Sequence, residues 1–430
     1  MGGRAVTDPI VYDIRGADYG DEAAVEKEMR RVFDVCHTCR RCLPLCPAFP
    51  DLFSRIDGNP TQEVEGLTRS DLDGVVDLCY QCKLCYNHCP YHPPHRWMVD
   101  FPRLMLRARA ARAGARGIGL QDRILGMADA TGKLGSWLAP LSNWANRLRL
   151  NRLMMEALLG IHRNRNLPRY RRQTFSRWFR KRARRAAPPG QQPAARAALF
   201  ATCSVEYTEP AIGQAAVRVL ERNGIDVSLP RQRCCGMPAL DGGDLDAAVA
   251  AARDNVRWLA AEVAGGRDVV VPGPTCSYML KHEYPHMLGT DQARAVAEKT
   301  FDLSEYLMRR HKQGGLDTRF ARGAGKIAYH LPCHLKAQNI GYKSRDLLAL
   351  LPDTQVEMVE GCSGVDGTWG FKKQYFDLSL KVAAPLLERI DSCRPEATAS
   401  DCPLACLQME LTRGEKPLHP VQILDRAYGE

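Results

Sequence analysis

Two kinds of hydrophobic patterning divide the chain. Near the N-terminus, Asp21–Val35 and Thr68–Leu78 carry helical patterns that are expected to end at the first cysteine of each of two cysteine blocks. Residues 103–187 are helix-prone and basic, and Pro188, Pro189, Gly190 and Pro193 break that pattern as a linker would. Beyond the linker, the short apolar runs Ala197–Ala201, Asp268–Val271 and Ile327–Leu331 alternate with helical patterns at Ala211–Asn223, Leu245–Ala264 and Gln374–Ile390. Strand–helix alternation implies small α/β units with parallel strands. The pattern occurs twice. Ala197–Ala201 leads to Cys203 as Ile327–Leu331 leads to Cys333. Cys234-Cys235-Gly236 then matches Cys362-Ser363-Gly364, and Cys276 matches Cys402. These cysteines fall at the carboxyl ends of strands, where sites form in open parallel sheets.

The two N-terminal blocks each read C-x₂-C-x₂-C-x₃-C-P. The first is Cys36, Cys39, Cys42 and Cys46 before Pro47; the second is Cys79, Cys82, Cys85 and Cys89 before Pro90. Three cysteines spaced by two can wrap three corners of a 4Fe–4S cube, and in two-cluster ferredoxins the fourth cysteine of a block ligates the other cluster. One cluster is therefore assigned to Cys36, Cys39, Cys42 and Cys89, and the other to Cys79, Cys82, Cys85 and Cys46. A zinc site usually joins separated C-x₂-C pairs with four ligands in all, and fits this run poorly. The helical flanks favour an all-helical ferredoxin module.

Charge changes the picture only in the middle. The chain has 430 residues and 17 cysteines, too dilute for a disulfide-stapled scaffold. Its net charge is +11, yet residues 103–187 hold 19 Arg and 2 Lys against two Asp and one Glu, a balance of +18 that leaves −7 for the rest. Trp144, Leu148, Met155, Leu158 and Leu159 recur at near-helical spacing among Arg147, Arg149 and Arg152. Phe175, Trp178 and Phe179 are interleaved with Arg177, Arg180, Lys181, Arg182, Arg184 and Arg185. Basic amphipathic helices with aromatics suit an anionic membrane surface; docking on an acidic partner or on the chain's own domains is the alternative. No nucleic-acid motif accompanies the charge. No secretory signal or spanning apolar stretch is seen. A reducing cytoplasm is expected, with peripheral attachment to the cytoplasmic face of the inner membrane as an option.

A two-cluster module followed by paired Cys…Cys-Cys-Gly…Cys units resembles the iron–sulfur subunits of anaerobic glycerol-3-phosphate dehydrogenase, heterodisulfide reductase and glycolate oxidase. The likeness includes Cys234-Cys235-Gly236-Met237-Pro238, Pro274-Thr275-Cys276, Glu283-Tyr284-Pro285, Pro332-Cys333-His334 and Gly367-Thr368-Trp369-Gly370-Phe371-Lys372-Lys373. The resemblance implies a further metal or iron–sulfur centre at Cys203, Cys234, Cys235 and Cys276, and a weaker second site at Cys333, Cys362, Cys402 and Cys406. The family's fifth cysteine of the first unit is Met279 here. Ser363 replaces one of the second pair, and Cys402 and Cys406 are one residue too far apart. Cys393 reads as an ordinary small residue, and His334 as either a ligand or a hydrogen-bonded loop residue.

The expected architecture is a multidomain α+β chain. Residues 1–102 form the α-helical two-cluster ferredoxin, and 103–195 the basic helical segment and linker. Residues 196–315 form the first Cys-Cys-Gly unit, and 324–430 a degenerate second one. The expected function is that of an electron-transfer subunit, working between a flavoprotein dehydrogenase and a quinone or other carrier. No G-x-G-x-x-G follows a strand, which leaves organic redox chemistry to a partner. The alternatives are a disulfide or persulfide reductase acting at the Cys-Cys-Gly centre, and a redox sensor or metal-binding scaffold.

Overall fold

The computed structural model describes residues 11–182, 193–365 and 367–429. Linker residues Pro188, Pro189 and Gly190, with Arg184 and Arg185, lie outside the described residues. The N-terminal part is built from helices. Asp21 caps Glu22–Cys39 by accepting from Ala24 N, and Val25, Met29, Val32 and Phe33 form its buried stripe. This helix runs past the first cysteine, against expectation. Nothing in Cys36–Cys39 breaks it, and it stops only where Arg40 turns left-handed (φ 50°) and returns its N–H to the Cys36 carbonyl. Arg69–Leu78, with a Thr68/Asp71 capping box, does stop just before Cys79. Phe49 and Phe101 meet with ring centroids 4.7 Å apart, and Phe33 reaches Phe101 at 5.9 Å, so the helix Phe101–Arg116 is sewn to the cysteine-bearing helices.

Two parallel sheets follow. β1 (Ala195–Leu199), β2 (Ile225–Ser228), β3 (Asp268–Val271) and β4 (Thr300–Asp302) lie in the order β2-β1-β3-β4. β5 (Gly325–His330), β6 (Thr354–Val359) and β7 (Ala397–Ser400) lie in the order β6-β5-β7. Every pairing is parallel. The second sheet repeats the first without its fourth strand. β2 and β4 are edge strands with alternating burial, and β6 is an edge strand in which only Val359 is buried, so no continuous apolar run announces them in the sequence. The two units are fused: Ala197, Leu199 and Val270 of one share a core with Ile327, Tyr329 and Ala399 of the other. Arg218 and Asp425 pair across the seam.

The middle segment is a chain of short helices, Leu120–Gly126, Ala128–Trp137, Ala139–Ala145, Arg149–Leu159 and Phe175–Lys181. Phe175 and Phe179 are buried in the shared core, so that last helix docks on the chain's own units and is not an interfacial one. Arg152 is also buried, donating to the carbonyls of His162, Arg163 and Arg165. Arg165 donates to Gln408 and Ser379. Part of the basic balance is therefore internal wiring. Among the described residues, no helix is long and apolar enough to cross a membrane.

Candidate iron–sulfur centres

The last turn of Glu22–Cys39 carries Cys36 and Cys39. The left-handed Arg40 then swings the chain back so that Cys42 returns to the same place, and Cys89 arrives just after the short helix Leu84–His88. Burial pushes the Cys36 thiol well above its ordinary range, and the charges that Cys42, Cys89 and Cys39 would carry push it further. Cys42 is raised to about 12 by burial, then by Cys89 and Cys39. These four sulfurs share one neighbourhood. Cys85 is raised by burial and then by Cys82, Cys79 and Cys46, with Cys42 last, so a second group of four adjoins the first. Cys36, Cys39, Cys42 and Cys89 are half-buried, as is Cys46 of the second group, whereas Cys79, Cys82 and Cys85 are buried.

Such groups are costly as bare thiolates. Ionising any member repels the others in a dry site. Yet polar groups point at the sulfurs: Tyr91 N donates to Cys89 Sγ at 3.4 Å, and Gln81 Nε2 to Cys79 Sγ at 3.4 Å. Both features fit thiolates around a multi-iron cluster, whose cations offset the repulsion and whose sulfurs accept N–H bonds. As the side chains stand, no three His, Cys, Asp or Glu among the described residues converge as the ligands of one ion would. The fit to clusters rests on the donor set.

In the first Cys-Cys-Gly unit, Cys203, Cys234, Cys235 and Cys276 follow the carboxyl ends of β1, β2 and β3. Gly236, at φ 89°, makes the turn that presents the adjacent pair; a side chain there would be strained. The thiols form a chain, Cys203 to Cys234 to Cys235, and Cys276 Sγ donates to Cys235 Sγ at 3.3 Å. The hydrogen bond with Cys234, then burial, holds the Cys203 thiol well above its ordinary range. Sequence reasoning missed Asp129, whose Oδ2 accepts from Cys234 N at 2.6 Å and whose Oδ1 accepts from Tyr207 Oη at 3.3 Å. The middle segment therefore closes over this site. Met279, fully buried, stands where the resemblance has a fifth cysteine.

The second unit divides. Cys333 and Cys362 pack with Tyr80, Cys82, Cys46 and Trp369, against the buried ferredoxin group. Cys402, like Cys393, packs on a core that includes Ala328, Val359 and Met409. Its charge is the nearest thiol influence on buried Cys406. His334 is a hydrogen-bonded residue: Nδ1 meets Thr275 Oγ1 and Nε2 meets Gln81 O, both at 2.9 Å.

A buried ionic group also went unread. Lys83, between Cys82 and Cys85, lies 4.0 Å from Glu283, and Arg103 lies 3.5 Å from Glu283 and 3.3 Å from Asp100. Glu283 ends a π-helical turn, Met279–Glu283, a form common at functional sites. The Lys spaced inside the second block and the Glu283-Tyr284-Pro285 motif were its only sequence signals.

A helical module carrying two C-x₂-C-x₂-C-x₃-C-P blocks, followed by two cysteine-lined parallel α/β units, defines a component of an iron–sulfur oxidoreductase. Residues 29–115 match the model of the citrate utilization protein B Fer4-like domain, and residues 197–281 and 327–410 each match the cysteine-rich domain. The chain is 29% identical over 327 residues to a subunit of the anaerobic glycerol-3-phosphate dehydrogenase of Escherichia coli (strain K12), covering 75% of this chain and 81% of that one. It is 34% identical over 184 residues to lactate utilization protein A of Bacillus pumilus, 40% of this chain and 74% of the relative. It is 28% identical over 252 residues to a subunit of the fumarate reductase (CoM/CoB) of Methanothermobacter marburgensis, 56% and 48%. The chain belongs to this family of cysteine-rich-domain iron–sulfur subunits of dehydrogenases and reductases.

Proposed function

We propose that the chain relays electrons between a flavoprotein dehydrogenase and a quinone or other carrier. Cys36, Cys39, Cys42 and Cys89 would hold one 4Fe–4S cluster, and Cys46, Cys79, Cys82 and Cys85 a second. Cys203, Cys234, Cys235 and Cys276 would hold a further iron–sulfur centre. When bound, the clusters supply one-electron redox steps. The chain's own residues set their order. The observation that carries the reading is the gradient of exposure: the first group is half-buried throughout, whereas in the second Cys79, Cys82 and Cys85 are buried and only Cys46 is half-buried, packed with Cys82 against the second Cys-Cys-Gly unit. It supports exchange with a protein partner at the first group and an inward path from it.

Surface attachment follows from the middle segment. Trp137 is 70% exposed and Trp144 58%, and Leu134, Leu141, Leu150 and Leu158 are exposed with them. Arg123, Lys133, Arg147 and Arg149 are exposed in the same stretch. Aromatic and basic side chains together suit a helix lying in an anionic membrane surface. The basic segment that supports this reading is 120–158, because Phe175 and Phe179 are occupied in the core. Isolation of the native complex under nitrogen tests the main reading. A co-purifying flavoprotein that reduces this chain with its substrate is expected; a chain that no flavoprotein accompanies or reduces would overturn it.

A further inference from the structure

A cavity of about 230 Å³ opens where the ferredoxin module, the middle segment and both Cys-Cys-Gly units meet. Its floor is aromatic. Trp369 and Tyr375 stack with centroids 4.6 Å apart and planes 8° apart, and Tyr80 lies 5.2 Å from Trp369. Trp369 Nε1 donates to Asp77 O at 3.0 Å, which holds the indole in place. Tyr80 follows Cys79 and packs with Cys46 and Cys82, so the floor is continuous with the buried thiol group.

The walls are polar but electrically balanced. Lys372 pairs with Asp122 at 2.6 Å, Arg112 pairs with Asp77, and Arg109 donates to the carbonyls of Val76 and Asp241. With its cations already engaged, the cavity is poorly suited to a free anionic substrate. Asp241 Oδ1, also on the wall, is buried without a hydrogen-bond partner. The mouth is formed by Gly117, Ile118 and Gly119, and the next residue, Leu120, is 60% exposed. Further along the same segment Met127, Leu134 and Trp137 are exposed apolar residues as well. The volume is below the roughly 300–1,000 Å³ of sites that enclose a whole ligand. It suits a planar head group whose apolar tail stays outside.

We propose that this cavity binds the ring of a lipid-borne quinone, stacked on the accessible face of Tyr375, which Trp369 backs from the buried side, with its tail leaving past exposed Leu120. This rests on the electron-transfer reading above. Reduction to the hydroquinone takes two electrons, which the partner dehydrogenase puts into this chain's clusters, and two protons, which reach the ring oxygens from solvent through the open mouth.

The test uses the full chain under nitrogen and a tailless naphthoquinone methylated at both quinoid carbons, so that thiols cannot add to it. Gly119→Phe narrows the mouth at a residue with open space around its Cβ position, and Tyr375→Leu removes one stacking face. Equilibrium dialysis measures quinone binding. Reoxidation of the dithionite-reduced protein is then followed with the quinone and with ferricyanide. Both variants should weaken quinone binding about tenfold or more, and lower the quinone-to-ferricyanide rate ratio in proportion. Variants that bind and react like the parent would overturn the cavity assignment. So would a parent that passes electrons to ferricyanide but does not bind the quinone. A parent that reduces neither acceptor would instead sink the electron-transfer reading.

Discussion

Glu283→Gln removes one buried charge and keeps the side chain's volume. Glu283 is 1% exposed and faces Lys83 at 4.0 Å and Arg103 at 3.5 Å, with Asp100 the second carboxylate of the group. Burial alone would raise its pKa, yet Arg103 and then Lys83 hold it down to about 2. Against an ordinary 4.5, that depression is worth about 3 kcal/mol. Coulomb attraction at 4 Å with an effective dielectric of about 20 gives about 4 kcal/mol, and breaking buried pairs costs about 3–5 kcal/mol. A loss of about 3–4 kcal/mol is therefore expected. At roughly 2–4 °C per kcal/mol for a cooperative unit of about 150–250 residues, the thermal midpoint should fall by roughly 6–16 °C. Circular dichroism at a single heating rate under nitrogen reads it. Lys83→Met should cost a similar amount, and the double variant less than the sum of the two. Strict additivity, or a loss under about 1 kcal/mol, would show that the group is not the clamp between the second cysteine block and the first Cys-Cys-Gly unit.

Cys46→Ser should disturb the centre of Cys79, Cys82 and Cys85, and Cys36→Ala the other; EPR showing both changes in one centre would refute crossed ligation. Burial lowers the pKa of His282 and His286 to about 4 each. Unfolded histidine protonates near 6.5, so the unfolded state binds more protons between these values. Stability is then full above pH 6.5 and declines toward pH 4, by about 2 kcal/mol per histidine at pH 5. The double variant His282→Gln, His286→Gln should unfold at lower pH than the parent in an acid titration, and an unchanged acid midpoint would contradict this. Trp137→Ser with Trp144→Ser should reduce flotation with anionic liposomes at low salt, and raised salt should release the parent chain. Equal flotation of parent and variant would remove the membrane reading of this stretch.

The repeated strand–helix units were legible because β1, β3 and β5 are buried apolar runs ending near cysteines. Edge strands β2, β4 and β6 were not, because none of them holds two consecutive buried residues. In the helical module, the regular cysteine spacing was enough to expect Cys89 beside the first block, and Cys89 is among the groups whose charge would reach Cys36. The basic segment was ambiguous in sequence for a physical reason. An arginine reads the same whether it lies on water or, like Arg152 and Arg165, donates to buried carbonyls and side chains. Phe175 and Phe179 look interfacial by spacing, but the shared core of the two units claims them. Asp129 and the Tyr80–Trp369–Tyr375 platform join segments far apart in sequence, and no local pattern encodes such meetings.

The central claim is that the grouped cysteines hold iron–sulfur clusters, and metal analysis of anaerobically isolated protein meets it most directly. About eight iron and eight acid-labile sulfide are expected from the helical module alone, with more from the first Cys-Cys-Gly unit. Cys235→Ala should lose only that excess. Stoichiometric zinc without acid-labile sulfide would contradict the account.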